Sequence, residues 1–366
     1  MREIGGDFEI AMPLAISRTA VDESCCDQLS SLPLCWYSCG RMGLRAILRS
    51  IPKGVFLVPS YLCTSILWAF RQEGISVRFY SVLSDLQGDA DEIVRLWSSC
   101  SEVVGILHID LFGVLPKDDL SGLFAKMVSK GLCVIEDITH SFPGTSNLCQ
   151  RAGSHILCSV RKTLPVPDGA FVFSRIHRPI EAQIGAAAYV QAKLEAQFAK
   201  SRYLRGVASR DFLQDLRNAE TGFDSDPEIR RISRVSRTLL RCVDLREVRV
   251  RRRKNFEYLL SKFESSMIPT VARPLVRDLS ECSSSLGFPV WSKWRNELQH
   301  HLIHSGIFPP VHWVLPPEAR EWALSHNQFS VNLSESELTI PCDQRYGEVD
   351  MDYIVAQVGR FAETHG

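Results

Sequence analysis

Two stretches of this sequence place reactive side chains directly after apolar runs. VIEDITHSF ends its run in Glu136 and Asp137, and His140 follows three residues later. ILCSVRKTLPVPDG brings Lys162 soon after a second apolar run. An isolated acid or lysine is usually solvated, but a carboxylate at the end of a buried strand can keep a ring nitrogen protonated. A partly desolvated lysine can have a lowered pKa and form a Schiff base.

A third stretch, YSCGRMGLRAIL, could bind a phosphate. A glycine turn that opens a helix leaves backbone N–H groups at the positive end of the helix dipole, which here belong to Gly40, Arg41 and Met42. The sequence contains no GxxxxGK[ST] and no GxGxxG, so it carries neither a P-loop nor a dinucleotide fingerprint. The glycine turn therefore supports a phosphate-binding site only when it is taken together with the two stretches above.

The elements that must position these residues alternate in type from about residue 40 to residue 175. Short branched runs such as VFLVPS, VVGILHIDLFG and LCVIEDI read as strands, and helical patterns separate them. This alternation predicts an α/β fold with a mostly parallel sheet. Ligands collect at the carboxyl ends of such strands, where Asp137 sits. Side chains alternate along a strand, so Glu136 is predicted to point away and make a structural contact.

The rest of the chain predicts a second, smaller domain. Residues 180–260 have a helical pattern, and the Arg-rich REVRVRRRKNFEYLL reads as a half-buried helix with a basic, solvated face. Residues 265–366 mix strand-like FPVW with further helices. We therefore predict a large domain over residues 1–245 and a small C-terminal domain over residues 246–366.

Composition argues against several classes of protein. The 42 basic and 42 acidic residues cancel, which gives no case for nucleic acid or an anionic membrane as partner. GVFLVPSYLCTSILWAF is uncharged, but Pro59 and Ser60 interrupt it, so a buried strand, a turn and a helix explain it better than a membrane span. The 12 cysteines show no CxxC or Cys/His spacing, which predicts no metal site. The N-terminus is a poor signal peptide, and a reducing cytoplasm is the expected location.

Taken in order, the glycine-turn helix, VPSYLCTS, a strand ending in FG, VIEDITHS and a lysine followed by DG resemble a known family. The chain is similar to the DegT/StrS-type sugar aminotransferases, as a divergent member. The resemblance runs from about residue 35 to residue 355 and is strongest from 57 to 172. It implies a fold-type-I enzyme that uses pyridoxal 5′-phosphate (PLP), with a mostly parallel seven-stranded sheet in the large domain, a C-terminal α+β domain and a homodimer.

The resemblance also assigns roles by position. Lys162 would carry PLP as an imine, and Asp137 would pair with the pyridine nitrogen. His140 would lie near the hydroxyl group of the ring. The backbone N–H groups of residues 40–42 would face the phosphate.

Several positions depart from the family pattern around the cofactor. The family serine that binds phosphate stands five residues before the lysine, whereas Ser159 stands three before Lys162. Ser159 and Arg161 are therefore the candidate phosphate ligands. The aromatic residue that stacks on the cofactor aligns near Cys63, and Tyr61 is the nearest aromatic candidate.

Two further motifs are altered. The family's H-x-x-G reads Asp110-Leu-Phe-Gly113. The Asn-Tyr-Arg motif that reaches into the partner subunit is absent, and Ser233, Arg234 or Arg237 could replace it.

The C-terminal domain supplies the candidate substrate residues. PPVHW could line a pocket through His312 and Trp313, or form a turn with a packed tryptophan. Arg345 could hold a carboxylate or phosphate, or make an ion pair. His108 and His155 fall in apolar runs and are expected to belong to the core or to the layer of residues behind the site.

These features predict a PLP-dependent aminotransferase that moves an amino group from an amino acid donor to a keto group of a sugar or natural-product intermediate. A PLP-dependent lyase, decarboxylase or carbon–carbon bond-forming enzyme acting on an amino acid is the alternative reaction. A non-catalytic regulatory homologue is the alternative from another class.

Overall fold

The computed structural model describes residues 3–10, 34–144, 148–176, 179–264 and 268–365. The strands along the chain are β1 Ile4–Gly5, β2 Leu34–Tyr37, β3 Val55–Pro59, β4 Ser76–Tyr80, β5 Val103–Ile109, β6 Cys133–Asp137, β7 His155–Cys158, β8 Ala170–Ser174, β9 Arg273–Pro274, β10 Phe288–Trp291, β11 Ile307–Phe308 and β12 Glu337–Ile340. The helices are α1 Gly40–Leu48, α2 Thr64–Gln72, α3 Ala90–Ser98, α4 Asp118–Ser129, α5 Ala188–Leu204, α6 Phe212–Ser225, α7 Arg234–Leu240, α8 Leu245–Glu264, α9 Arg295–His304, α10 Pro317–His326, α11 Gln328–Ser336 and α12 Glu348–His365.

The central sheet has seven strands in the order β2-β8-β7-β6-β5-β3-β4. Strand β8 runs antiparallel to β2 and β7, and the other neighbouring pairs are parallel. The predicted α/β fold with a mostly parallel seven-stranded sheet is confirmed. Asp137 pairs with Ile109 on one side and with Leu157 on the other. It therefore lies at the carboxyl end of a strand in the middle of the sheet.

The inner strands β3, β5, β6 and β7 are almost fully buried, which is the pattern of parallel sheets that are covered on both faces. Every residue of β3 is buried. Gly74 (φ 61°) and Gly131 (φ 84°) adopt the left-handed conformation just after α2 and α4, where glycine ends a helix without strain. The uncharged stretch 54–70 forms β3, a turn and the start of α2, as predicted. Among the described residues, no helix is both long and apolar enough to cross a bilayer.

A second, antiparallel sheet of order β12-β10-β9 lies in the C-terminal part of the chain. Helix α12 packs against α8 and α9 beside it. The N-terminal strand β1 pairs in parallel with β11, with Ile4 opposite Ile307. The start of the chain is thus attached to this C-terminal part, and the domain boundary at residues 245/246 stays a prediction.

The helical pattern predicted for residues 180–260 corresponds to α5 through α8. In α8, Val248, Phe256 and Leu259 are buried, as their spacing indicates. The prediction that the basic face of this helix is solvated was wrong at Arg252, which is 1% exposed. Its guanidinium donates to the Thr163 carbonyl oxygen at 3.3 Å, because α8 packs against the loop that follows β7.

Candidate active site

Asp137 carries its carboxylate at the end of β6. The Thr139 backbone N–H donates to Asp137 Oδ1 at 2.9 Å, which orients the carboxylate. Burial raises the pKa of Asp137 to about 6; the negative charge of Asp110 adds to this, while hydrogen bonds from Thr139 and the positive charge of Lys162 oppose it. A carboxylate held in this way gains stability from a cationic or N–H-bearing ligand.

His140 follows Asp137 by three residues, and its ring is buried. The Phe112 backbone N–H donates to His140 Nδ1 at 3.3 Å, so Nδ1 acts as acceptor and the proton of the neutral ring resides on Nε2. Burial lowers the pKa of His140, and the charges of His312 and Lys162 lower it further. The residue is therefore a neutral hydrogen-bond donor through Nε2.

Lys162 ends a short 3-10 turn, Val160–Lys162, that follows β7. Its side chain opens into a cavity, but the surrounding protein removes much of its hydration. Desolvation lowers the pKa of Lys162, and the charge of Arg161 lowers it further. The positive charge of Lys162 in turn acts on both Asp137 and His140. The structure thus brings these three predicted residues into one site.

The amino end of α1 lies against Ser159. Its N-cap residue, Cys39, is extended and makes no side-chain cap hydrogen bond, so the first N–H groups of the helix keep their capacity to donate. The Met42 N–H is already used, because it donates to the Cys39 carbonyl at 3.1 Å. A Cβ atom on Gly40 would lie 3.1 Å from Ser159 Cβ and 3.5 Å from its Oγ. The hydroxyl of Ser159 and the start of α1 therefore border the same small space.

Arg161 is engaged by an acid that the sequence did not suggest. Its Nη1 donates to both carboxylate oxygens of Glu220, at 2.8 and 3.1 Å, and its guanidinium lies 4.6 Å from the centre of the Phe223 ring. Lys193 donates to the same carboxylate. Burial alone raises the pKa of Glu220, but the charges of Arg161 and Lys193 outweigh it and hold that pKa at about 2.

A cavity of about 390 Å³ extends from Lys162 toward the C-terminal part of the chain. The N-terminal residues 5–8 form one wall, and Arg161, Glu220 and Arg252 contribute charge to the others. His312 closes a further side. The lining residues come from distant parts of the sequence, and the cavity therefore exists only in the folded chain.

His312 and Trp313 approach the predicted cofactor residues from the C-terminal part. The ring centroids of His140 and His312 are 5.3 Å apart, and those of His140 and Trp313 are 5.2 Å apart. Trp313 also packs on Tyr61, with centroids 5.4 Å apart. Tyr61 is fully buried, and burial raises its pKa, with the charge of Glu337 adding to the effect. Tyr61 is therefore a buried ring that packs against Trp313.

Arg345 lines the cavity, but its guanidinium already has ionic partners. It makes a two-point ion pair with Asp343, with both N···O distances at 2.8 Å. It also donates to Glu9 at 2.9 Å and to the carbonyl oxygen of Gly6 at 3.1 Å. Of the two roles expected for Arg345, the ion pair is the one that the structure contains, and it holds the N-terminal segment against the cavity.

Asp110, Glu136 and Arg151 form a buried charged cluster near the carboxyl end of β6. Arg151 donates to Asp110, and its Nε lies 3.3 Å from Glu136 Oε2. The Gly153 N–H donates to Glu136 Oε1 at 2.5 Å. Glu136 thus makes the structural contact that strand alternation predicts. Asp110, which stands where the family has histidine, acts on the site through its charge, because it contributes to the raised pKa of Asp137.

The two strand histidines belong to the core, as expected from the sequence. His155 Nδ1 lies 3.0 Å from Ser154 Oγ, and His155 is fully buried. Burial lowers the pKa of His108 to about 4. Neither residue lines the cavity.

Ser233 has a partner within its own chain. Its hydroxyl donates to Asp168 Oδ1 at 2.6 Å, and its backbone N–H donates to Oδ2 at 2.9 Å. It also caps α7, because its Oγ accepts from the Ser236 N–H at 3.1 Å. Arg234 and Arg237 are exposed, so they stay the candidates for contact with a second subunit.

Comparison with known proteins gives different results for sequence and for structure. No family model matches the sequence, and no curated protein matches it. Solved structures do match. A putative sugar aminotransferase from Streptococcus pneumoniae, Spr1654 in its PLP form, is 14% identical with a TM-score of 0.68, over 100% of this chain and 93% of that chain.

The chain has an aminotransferase fold. A DegT DnrJ EryC1 StrS aminotransferase from Brucella abortus is 17% identical with a TM-score of 0.65, over 100% of this chain and 92% of that one. Helicobacter pylori PseC, an aminotransferase involved in the biosynthesis of pseudoaminic acid, is 13% identical with a TM-score of 0.67, over 99% and 100%. The likeness extends over both parts of the chain, and the fold expected from the sequence resemblance is confirmed.

Proposed function

We propose that this protein is a PLP-dependent aminotransferase that moves an amino group from an amino acid donor to the keto group of a sugar or natural-product intermediate. The observation that carries the proposal is the meeting of Asp137, His140 and Lys162 in one site. The structural neighbours include aminotransferases, which supports the same reaction class.

The residues present fit PLP on the basis of their own chemistry. Burial raises the pKa of Asp137, and a protonated ring nitrogen would give its carboxylate a positively charged partner. His140 offers an N–H at Nε2 to the hydroxyl group of the ring, because Nδ1 is occupied by the Phe112 N–H. The uncapped start of α1 and the Ser159 hydroxyl offer donors to a phosphate.

When bound, PLP supplies an electron sink for the bond that breaks at the donor α-carbon. Lys162 Nζ would take the proton from that carbon as general base and return a proton to the acceptor carbon as general acid. Burial and the charge of Arg161 lower the pKa of Lys162, which makes the proton easier to lose than from a solvated lysine. Asp137 would hold the ring-nitrogen proton in place. His312 and Trp313 would separate this chemistry from bulk water, because they cover His140.

Borohydride reduction followed by peptide mapping tests the proposal. Protein incubated with PLP and reduced should carry a pyridoxyl group on Lys162, and a Lys162→Arg variant should carry none there. Lys193 and Lys200 are the matched controls, because both are buried nearby. A label on either of these instead of Lys162, or no label at all, contradicts the assignment.

The donor half-reaction separates transamination from the alternatives. Glutamate should convert the bound cofactor to its aminated form without loss of carbon from the donor. Release of carbon dioxide or a shortened carbon skeleton would favour the lyase or decarboxylase reaction. The absence of any spectral change on addition of PLP would favour a non-catalytic homologue.

We also propose that the protein forms a homodimer, as the family resemblance implies. Ile176, Ile180 and Ile184 are exposed by 44%, 43% and 38% along one short segment, and such grouped apolar residues suit burial by a second copy. Sedimentation equilibrium should give twice the mass of one chain. An Ile180→Glu/Ile184→Glu double variant should shift the protein toward monomer, and an unchanged mass for that variant would remove this segment from the interface.

A cytoplasmic, biosynthetic role is the proposed setting. Cys35, Cys133, Cys158 and Cys342 are buried free thiols, a state that a reducing compartment preserves. Localisation of the tagged protein in the organism that encodes it would test this setting.

A further inference from the structure

Arg161 stands directly before Lys162 in the short 3-10 turn after β7, and its guanidinium is held by α6. Its Nη1 donates to both carboxylate oxygens of Glu220, at 2.8 and 3.1 Å. The guanidinium carbon lies 4.6 Å from the centre of the Phe223 ring. An arginine stays charged in a protein, so two residues of one helix fix a permanent positive charge beside the proposed catalytic amine.

Lys193 brings a second positive charge to the same place from α5. Its Nζ donates to Glu220 Oε1 and lies 5.6 Å from the centre of the Phe223 ring, on which Arg161 also packs. The same Nζ lies 3.6 Å from Asp7 Oδ1 of the N-terminal segment. Two cations from different elements therefore share one carboxylate next to the turn that carries the amine.

The cations of this group are buried more deeply than its acids. The side chains of Arg161 and Lys193 are 9% and 3% exposed, whereas those of Glu220 and Asp7 are 35% and 42% exposed. Water screens a partly exposed charge more strongly than a buried one, so the acids offset the cations only in part. The remaining positive potential favours the uncharged form of the Lys162 amine, because a like charge disfavours protonation.

Other titratable and charged groups also face Lys162 from the elements around the cavity. They are Cys63 before α2, Asp137 and His140 after β6, Arg252 of α8, His312 after β11, and the paired Asp343 and Arg345. Of these, Asp137 opposes the two cations, because a carboxylate favours the charged amine. A protonated ring nitrogen would pair with Asp137, and Arg161 and Lys193 would then act on Lys162 with less opposition.

We propose that Arg161 and Lys193, which Glu220 holds together, are positioning residues that shift Lys162 toward its uncharged amine by electrostatic repulsion. Arg161 then serves the reactive amine and not the cofactor phosphate. Glu220 limits the strength of the effect, since its carboxylate offsets part of the positive charge. The use of the amine rests on the proposed aminotransferase function, but the repulsion does not.

Trace acetylation measures the titration of Lys162 without cofactor or turnover. Full-length protein is treated with a small amount of acetic anhydride from neutral to strongly alkaline pH, and mass spectrometry follows each lysine-containing peptide. Arg161→Gln and Lys193→Gln should each raise the pKa of Lys162 by about one unit. Glu220→Gln should lower it, and by less, because solvent screens the partly exposed carboxylate. The Arg161→Gln/Glu220→Gln double variant should lie close to the unmodified protein.

The opposite signs distinguish a charge effect from damage to the fold. A variant that merely opens the site to water would raise the pKa of Lys162 whichever residue was replaced, because hydration restores the charged amine. Lys130 is exposed and is the internal standard in every sample. Arg360→Gln removes an exposed cation on α12 and should leave the titration of Lys162 unchanged. A shift of the same sign in Arg161→Gln and Glu220→Gln, or no shift in either, would overturn the proposal.

The capture of PLP measures the consequence for the reactive amine. Each protein is mixed with PLP at a pH below the titration of Lys162 and quenched with borohydride after increasing times, and the pyridoxyl group on Lys162 is quantified. We expect Arg161→Gln to slow this labelling about tenfold, because one pKa unit changes the fraction of free amine about tenfold. If the final extent of labelling falls while Lys162 of the cofactor-free variant titrates as in the unmodified protein, Arg161 binds the phosphate and the proposal is overturned.

The two measurements separate this inference from the function on which it rests. If Lys162 carries the pyridoxyl group and amino transfer occurs while the variants leave its titration in place, the inference fails and the proposed function stands. If the titration moves as expected while PLP never labels Lys162, the electrostatic role stands and the aminotransferase proposal fails.

Discussion

His140 and His312 lie side by side with ring centroids 5.3 Å apart, and each ring has a hydrogen-bond partner at Nδ1, the Phe112 N–H for His140 and Thr339 Oγ1 for His312. His140 follows a strand of the central sheet, whereas His312 comes from the loop after β11. The pair thus joins the two parts of the chain at the proposed site. His140 offers an N–H at Nε2 to its surroundings, because its Nδ1 accepts from the Phe112 N–H.

Asp137→Asn should stabilise the protein in the absence of cofactor. Burial raises the pKa of Asp137 to about 6, so between about pH 4 and pH 6 the folded state retains a proton that the unfolded chain has lost. Stability therefore falls as the pH rises through this window. At pH 7.5 we expect the free energy of unfolding of the variant to be about 2 kcal/mol higher than that of the unmodified protein. Urea unfolding measures this difference.

Addition of PLP should reverse that order, because the ring nitrogen pairs with the carboxylate and not with the amide. The same urea unfolding at pH 5 and pH 7.5, with and without PLP, provides the control. Equal stability of the two proteins without cofactor at pH 7.5 would contradict the prediction.

Gly40→Ala should weaken PLP binding. The new Cβ would lie 3.1 Å from Ser159 Cβ, so the serine or the start of α1 must move where the phosphate is expected. We expect an increase of about tenfold in the dissociation constant for PLP, equivalent to about 1.4 kcal/mol, by fluorescence titration. Gly122→Ala in α4 is the matched control, because nothing lies within 4 Å of its Cβ. It should leave PLP affinity unchanged and stabilise the helix by up to about 1 kcal/mol.

Glu220→Gln should remove part of the acid sensitivity of the protein. The charges of Arg161 and Lys193 hold the pKa of Glu220 at about 2 in spite of burial, so the pairing stabilises the folded state above the ordinary pKa and is lost as the pH falls toward 2. The side chain is 35% exposed, and solvent screening limits the expected loss at pH 7 to about 1 kcal/mol. Thermal unfolding from pH 2 to pH 7 measures it.

Glu228→Gln is the control for that experiment, because Glu228 is exposed. Its pH profile should follow that of the unmodified protein. If the Glu220→Gln and Glu228→Gln profiles coincide, the pairing of Glu220 with Arg161 and Lys193 contributes nothing to the stability of the protein in acid.

Asp168→Ala should destabilise the fold by about 2–3 kcal/mol, because it leaves buried donors unsatisfied. The Asp168 carboxylate accepts from the Ser233 N–H, the Ser233 hydroxyl and the Ser236 hydroxyl. These bonds attach α7 to the loop that follows Lys162. Denaturant unfolding of Asp168→Ala beside Asp119→Ala, an exposed acid in α4, gives the comparison. We expect the Asp119 variant to stay within about 0.5 kcal/mol of the unmodified protein, and a similar small effect at Asp168 would rule out this role.

Local patterns in the sequence were enough to predict the central sheet. Its strands are apolar runs separated by helical periods, and such periods act over a few residues without help from the rest of the chain. The same reasoning puts Asp137 at the carboxyl end of β6 and turns Glu136 away from it. The position of Lys162 after β7 also follows from the order of elements.

The partners of the charged groups could not be predicted in the same way. Arg161 was expected to face a phosphate, yet it pairs with Glu220, 59 residues away. Arg252 was expected on a solvated face and is buried. Such pairings have no periodic signal, because they depend on how helices α6 and α8 pack against the loop after β7.

The sequence by itself thus determined the type and order of the elements and the residues at the strand ends, since backbone preference and apolar periodicity are local properties. Only the tertiary structure decided which side chains meet in the cavity. His312 reaches His140, and residues 5–8 reach Lys162, because a second set of strands and helices docks on the sheet. Contacts of this kind are selected by the packing of whole surfaces, and no short stretch of sequence encodes them.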